Sequence, residues 1–285
     1  MIIIHHSKDM DGYCSGAICK LKYPEAELIG WDYKDPIPDF EQFRGQDVIM
    51  IDITFPIEKL KELGRLCSQL TVIDHHISFK KEYDERVDAW DSFLYVYKDR
   101  KAACEIGWTY LFPDKPLPHS VLLIGRYDTW RQEEGDWKEE TLPFKYYMYG
   151  QCNSAESFPK WVLQRSQIYD MKIETAIDSG KDVMKYQEMI DESATRAYSF
   201  EKEAYGYRAL VLNVPYFNSE SLKTRYNPEN HDIMIGFCYT GSKWSVSLRS
   251  AKSEVDCSII AKQRGGGGHK GAAGFEAANF EDIFK

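Results

Sequence analysis

The run Val72-Ile73-Asp74-His75-His76 is the stretch from which the fold can be read. An apolar segment, Leu70-Thr71-Val72-Ile73, ends where an acid and two imidazoles begin. An apolar run that is continuous, not alternating, belongs to a parallel strand buried on both faces. Three other runs share the pattern. Ile2-Ile3-Ile4-His5-His6 leads into Ser7-Lys8-Asp9-Met10-Asp11-Gly12, residues 48–51 are closed by Asp52, and residues 121–124 are followed by Gly125-Arg126-Tyr127-Asp128-Thr129-Trp130. Helical stretches fall between them, at Ser15 to Leu21, at Ile57 to Leu63 behind Thr54 and Pro56, and at Ala102 to Leu111 ahead of Pro113. Strand, polar loop and helix in repetition make an α/β fold with a mainly parallel sheet. In such sheets the functional crevice lies outside the carboxyl ends of the strands, so the four polar clusters are expected to converge.

The remainder of the chain reads differently. Residues 153–203 are helical and charged, with Phe158, Trp161, Val162, Ile168 and Met171 on one apolar face. Val183, Tyr186, Met189 and Ile190 lie on the next, and Asp178-Ser179-Gly180 punctuates the two. Strands are expected at 208–214, 232–239 and 244–249. A helix near 254–264 opens on Ser253 and Asp256 at capping-box spacing. A glycine run, residues 265–268, then leads through His269-Lys270-Gly271-Ala272-Ala273-Gly274 to a last strand. The expected organisation is a parallel-sheet domain over 1–178, a helical linker over 179–204 and a smaller α/β substrate-binding domain over 205–285.

Bulk properties bound the function. With 285 residues two domains are the prior expectation. A hydrophobic share of 43% is enough for a proper core. The net charge of −9 argues against a general nucleic-acid-coating protein, although residues 206–285 carry a balance of +2. Seven scattered cysteines without a C-x-x-C pair read as reduced thiols, neither a disulfide framework nor a thiolate zinc site. No apolar run is long enough for a membrane helix, and Met1-Ile2-Ile3-Ile4 lacks the basic start of a signal peptide, so the cytoplasm is the expected location.

Asp9, Asp11, Asp52, Asp74, Asp128, His5, His6, His75 and His76 all fall at expected strand ends. Mixed carboxylate and imidazole donors suit a first-row divalent ion; Mg²⁺ alone would prefer oxygen. Two such ions roughly 3.5–4 Å apart can bind an attacking hydroxide and stabilise the leaving oxygen of a phosphoester. Each residue also has an ordinary reading, as the N-cap of the next helix or as a hydrogen-bonded histidine. The glycine run reads either as a flexible linker or as a nest of N–H groups for an anion. Arg249, closing Trp244-Ser245-Val246-Ser247-Leu248, reads as an edge arginine or as a phosphate or base contact. Tyr127, Trp130 and Trp161 could stack on bases, although most of the aromatics must be core.

The motifs His6 to Gly12, residues 48–52, residues 72–76 and Tyr127-Asp128-Thr129-Trp130, with Ser247-Leu248-Arg249-Ser250 and residues 265–274, resemble those of the DHH phosphoesterase superfamily and its associated C-terminal domain. They span nearly the whole chain. The resemblance implies a two-domain, two-metal phosphoesterase, usually manganese-dependent with Co²⁺ or Mg²⁺ as substitutes, and with its site between the domains. It implies His6, Asp9 and Asp52 on one metal, and Asp11, Asp52, His75 and Asp128 on the other. Asp74 would orient a histidine and His76 would contact the scissile phosphate, which makes Asp74, His75 and His76 the catalytic group. Arg249, Gly266, Gly267, Gly268 and His269 would bind substrate phosphates. A second spacing found in some members would select His5. Consecutive strand residues face opposite ways, so only one of the pair is expected to be a ligand.

The tail argues against the pyrophosphatase branch, and no nucleic-acid-binding domain follows as in RecJ-like exonucleases. The chain most resembles enzymes that degrade very short RNA or dephosphorylate 3′-phosphoadenosine 5′-phosphate, and some relatives hydrolyse linear or cyclic dinucleotides. The leading expectation is a phosphodiesterase on short oligonucleotides. The alternatives are a nucleotide phosphatase, a cyclic-dinucleotide phosphodiesterase, and a catalytically dead nucleotide-binding protein.

Overall fold

Three of the four apolar runs form strands and the fourth does not. The computed structural model describes every residue except 87–90, 164–166, 216, 218–220, 223, 251 and 253, and the backbone alone of 167–170 and 269. Two units form, Met1–Met184 and Lys185–Lys285. In chain order the first holds β1 (Ile2–His6), α1 (Met10–Lys22), β2 (Glu27–Trp31), β3 (Asp47–Ile51), α2 (Ile57–Leu66), β4 (Gln69–Ile73), α3 (Ile77–Glu85) and β5 (Leu94–Val96). There follow α4 (Ala103–Leu111), α5 (His119–Asp128), α6 (Leu142–Tyr149) and α7 (Gln167–Tyr198), the last continuing into the second unit.

The strands make one parallel sheet in the order β2-β1-β3-β4-β5. Their continuous apolar character serves two cores. Ile3, Ile49, Ile51 and Ile73 face α1, α4, α5 and α6, while Ile2, Ile4, Val48, Met50 and Val72 face Leu60 and Leu63 of α2 with Phe55 and Phe79. Full burial of each such side chain is worth roughly 1.5–3 kcal/mol. From β1 the chain crosses to β2 on one side and to β3 on the other, so the topological switch lies between β1 and β3.

The run at 121–124 is helix α5, not a strand. A short apolar run buried all round looks the same in either state. Here Val121, Leu123 and Ile124 are enclosed by the helical core, and Pro118 stands at the helix start. The outer strands are instead β2, interrupted by Gly30, and the three-residue β5.

Asp178-Ser179-Gly180 does not punctuate two helices, because α7 runs through it. Gly180 is there for close approach: a Cβ would lie 1.9 Å from the Pro143 carbonyl oxygen. Gly180→Ala is therefore expected to destabilise by roughly 1–3 kcal/mol, as overpacking does. In an open helix the same change would gain about 1 kcal/mol. The urea midpoint would read the sign. The side chain of Ile168, assigned to this region's apolar face, lies outside the described residues.

The second unit is a six-stranded mixed sheet in the order β10-β11-β9-β8-β7-β6. It comprises β6 (Ser199–Ala204), β7 (Tyr207–Asn213), β8 (Ile233–Tyr239), β9 (Trp244–Arg249), α8 (Cys257–Lys262), β10 (Gly267–His269) and β11 (Ala272–Ala277). Only β7 and β8 pair in parallel. Residues 199–203, read as helical, begin strand β6, which turns into β7 through Tyr205-Gly206. A two-residue turn with both φ values positive is the favoured hairpin connection. Helix α8 is shorter than expected and is capped by Asp256, whose carboxylate accepts from the Ser258 and Ile259 N–H groups. Ser253, the expected cap, lies outside the described residues.

The glycine run is not a free loop. Its last residues form β10, with Gly267 opposite Gly274 and Gly268 opposite Ala273. A Cβ at Gly268, whose φ is +135°, would lie 2.5 Å from the Ala273 Cα. Only glycine allows β10 to lie so close to β11.

Candidate metal centre

The register of β1, β3 and β4 sets the site. His5 pairs with Ile51, and Ile51 with Ile73, so His6, Asp52 and Asp74 leave the sheet at one level. His5 and His6 face opposite ways. His5 is buried, with Nδ1 on its neighbour's carbonyl, and a Cβ at Gly16 would meet its ring. His6 is the one that meets carboxylates: Nδ1 is 2.8 Å from Asp9 Oδ2 and 3.6 Å from Asp52 Oδ2.

Asp9 caps α1, accepting from the Gly12 N–H at 2.9 Å. Asp11, in the first turn of α1, accepts from the Ala103 and Cys104 N–H groups at 2.8 Å each, and so caps α4 from outside. Helix termini favour carboxylates because the first N–H groups have no partner within the helix. Asp52 sits at φ +63°, an uncommon conformation for a residue other than glycine, which lets the chain turn sharply off β3. Its two oxygens then face different histidines: Oδ2 faces His6, and Oδ1 is 3.3 Å from His75 Nε2. His75 Nε2 also lies 3.5 Å from Asp128 Oδ2 and 3.9 Å from Asp11 Oδ2. His76 Nδ1 is 2.7 Å from Oδ1 of the fully buried Asp74. Donor atoms thus gather in three overlapping groups: His6, Asp9 and Asp52; Asp11, His75 and Asp128; and Asp52, Asp74, His75 and His76.

Charge is concentrated here beyond what burial tolerates. Burial, then repulsion from Asp11 and Asp9, holds the Asp52 carboxyl well above the usual range. Burial, then the charge of Asp11, pushes Asp128 up to about 7. Burial opposes charge on His6, but the nearby carboxylates of Asp52 and Asp9 outweigh it and push the imidazole up to about 10. Burial also opposes charge on Asp74, but the His76 bond holds its carboxyl below the usual range. Asp52 Oδ2 and Asp74 Oδ2 are buried with no hydrogen-bond partner. Buried carboxylate oxygens normally have one, and a cation among several carboxylates removes both the orphaned atom and the repulsion. The residues present therefore fit divalent ions.

A pH dependence follows. An acid raised in the folded state contributes stability below its unfolded value, and that stability is lost as pH rises through the folded value. For Asp128 the loss runs from 3.8 up through about 7. A raised histidine behaves alike, and for His6 the loss runs from 6.5 up through about 10. Chelator-treated protein is expected to melt lower at pH 8 than at pH 6. Mn²⁺ should raise the melting temperature more at pH 8, since ligands bind metal deprotonated.

A recess of about 60 Å³ adjoins the cluster, between Asp9, Asp11 and Asp128 on one side and Tyr127, Lys145 and Tyr149 on the other. That is room for several ordered waters. Tyr127 stacks on Trp137, and Trp130 meets Trp137 edge-on. Trp161 is packed with Tyr147 against the helical core.

The other expected site residues lie in the second unit. Register places His269 opposite Ala272, and Ala272 opposite Arg249, so the glycine edge and Arg249 share one corner of that sheet. The Arg249 guanidinium donates to the Leu248 carbonyl and lies 6.0 Å from the Phe217 ring. The His269 side chain lies outside the described residues.

Two features escape a reading of the sequence. Asp32 follows β2 as Asp52 follows β3, and its Oδ1 is 3.5 Å from His6 Nε2. The signal was the same, strand then aspartate, but the glycine in β2 concealed the strand. The second is the buried ion pair of Glu105 and Arg131, each 2% exposed, which ties the start of α4 to the turn after Asp128. Nothing local marks either partner.

A parallel sheet with an acid and imidazole cluster at its carboxyl edge is the fold this chain shares with a solved DHH domain. The DHH domain of a member of the s1p family of ribosomal proteins superposes with a TM-score of 0.59 at 14% identity, covering 99% of this chain and 84% of that one. Oligoribonuclease NrnB of Bacillus subtilis is 26% identical over 96% of this chain and 72% of its own length. An uncharacterized protein of Acanthamoeba polyphaga mimivirus, R106, is 28% identical over 82% of this chain, which spans about half (54%) of that relative. No family model matches.

Proposed function

We propose that the chain is a two-metal phosphodiesterase acting on short oligonucleotides, nano-RNA or dinucleotides. The observation that carries this reading is Asp52, whose two carboxylate oxygens face the two histidines of separate donor triads. A single carboxylate so placed is suited to be shared between two cations. His6, Asp9 and Asp52 would hold one, and Asp11, Asp52, His75 and Asp128 the other, Mn²⁺ being the ion such mixed donors favour over Mg²⁺. Two such ions supply a nucleophilic water at neutral pH and take up charge developing on the phosphate.

The protein's own groups do the rest. Asp11 is fixed by the α4 N–H groups, so its position is set before any ion binds. Asp74 holds the Nδ1 proton of His76 and favours imidazolium there, a charged donor for a phosphate oxygen. In the second unit Arg249, Gly266, Gly267, Gly268 and His269 would bind a terminal phosphate. The likeness to oligoribonuclease NrnB supports an oligonucleotide substrate. Among the described residues no helix is long and apolar enough to cross a membrane.

The test is a length series of end-labelled RNA and DNA from the dinucleotide upward, beside cyclic dinucleotides and 3′-phosphoadenosine 5′-phosphate, with Mn²⁺, Co²⁺ or Mg²⁺. Cleavage of the shortest RNAs to mononucleotides is expected. No cleavage with any of the ions, or phosphate release from the bisphosphate nucleotide alone, would overturn the reading.

A further inference from the structure

A neutral imidazole carries one proton, so the nitrogen that ligates a metal leaves the proton on the other. In metal centres that second N–H is held by a carboxylate or carbonyl, which fixes both the tautomer and the ring. In His6 the two nitrogens face different groups. Nδ1 faces Asp9 and Asp52, both in the donor cluster. Nε2 faces Asp32, which lies outside the donor groups.

We infer that Asp32 is a positioning residue: its carboxylate holds the Nε2 proton of His6 and so presents Nδ1, unprotonated, to the cation. The inference rests on the metal reading above.

Local structure fixes Asp32 for this role. His6 pairs with Trp31 across β1 and β2, which brings the next residue beside the imidazole. The Ser7 N–H donates to the Trp31 carbonyl at 3.1 Å and closes that gap. Asp32 then heads a turn. The Asp35 N–H donates to its carbonyl, the Tyr33 N–H donates to its Oδ1 at 2.9 Å, and its own N–H donates to Asp35 Oδ2 at 2.9 Å. The Asp32 side chain is 15% exposed, so it competes little with water for the imidazole. The separation of 3.5 Å is longer than a formed N–H···O bond, and a shift of roughly half an ångström closes it. His76 shows the same device already closed, with Asp74 at 2.7 Å.

The experiment separates this role from turn stability and from catalysis. Mn²⁺ affinity is measured by calorimetry on chelator-treated wild type, Asp32→Ala, Asp32→Asn and Asp35→Ala. Asp32→Ala should weaken the affinity of one site about 10–100-fold, the usual cost of losing such a partner. Asp32→Asn, which keeps an acceptor, should lie between. Asp35→Ala perturbs the same turn without facing His6 and should bind as wild type does. Long-range ¹H–¹⁵N spectra of histidine-labelled, Zn²⁺-loaded protein, assigned with His6→Gln, should show His6 ligating through Nδ1 with its proton on Nε2. The fixed tautomer should be lost in Asp32→Ala. Ligation through Nε2, unchanged affinity in Asp32→Ala, or equal weakening by Asp35→Ala would overturn the inference. None of these readouts needs substrate, so a failure of the oligonucleotide reading would leave them interpretable.

Discussion

Asp52→Asn is expected to cut turnover by at least about three orders of magnitude, while the metal-free protein melts higher than wild type. The two effects share one cause. The carboxylate at 52 is buried among Asp9, Asp11 and Asp128, and burial with their charge already holds its proton affinity high. Removing that charge relieves repulsion in the absence of metal, a gain of about 1 kcal/mol or roughly 2–4 °C for a unit of this size. The backbone tolerates the change, because asparagine is among the few residues other than glycine that adopt the φ of +63° found there. With metal the sign reverses. A shared ligand contributes several kcal/mol of charge stabilisation, and each 1.36 kcal/mol is tenfold in rate. Thermal melts with and without Mn²⁺, beside initial rates on a labelled dinucleotide, read both effects. Turnover within tenfold of wild type would remove Asp52 from the centre of the site.

Arg131→Ala is expected to cost about 3–5 kcal/mol of stability, the largest effect of any change away from the metal cluster. Arg131 and Glu105 are both buried, and Arg131 also bonds Thr129 and Glu134. Without the guanidinium, Glu105 keeps Lys101 and the Ala102 N–H, too little for a carboxylate that burial already pushes toward protonation. Gly125 leaves no slack, since a Cβ there would lie 2.4 Å from Glu105 Oε2. The pair therefore clamps the end of α5, where Asp128 stands, against the start of α4, which Asp11 caps. Urea unfolding should show the loss. Mn²⁺ affinity should fall in Arg131→Ala even where the fold persists, because Asp128 loses its anchor. The pair replacement Glu105→Gln with Arg131→Met should recover much of the stability, as matched removal of buried charge does elsewhere.

The strand-end motifs could be read because they depend on short-range chemistry. Continuous β-branched runs give central parallel strands, and an acid after such a run stands at the carboxyl edge. Asp9, Asp11, Asp52, Asp74, His75 and His76 could all be placed near one another on that basis. Asp128 differs: it ends a helix, α5, and tertiary packing, not strand order, brings it to His75. The glycine run stands out in the sequence but its state does not, since glycines permit a loop and a close-packed edge strand equally.

The sequence by itself determined the α/β class, the central strands β1, β3 and β4, and the residue types of the cluster. Side-chain period and donor chemistry suffice for these, because both are local. Only the tertiary structure decided which imidazole of His5 and His6 turns to the carboxylates, that Asp52 faces both His6 and His75, and that Asp32 stands behind His6. The reason is geometric. Strand pairing fixes one level for residues far apart in the chain, and the direction of a side chain at that level depends on the pleat, the backbone turn and the neighbour across the sheet.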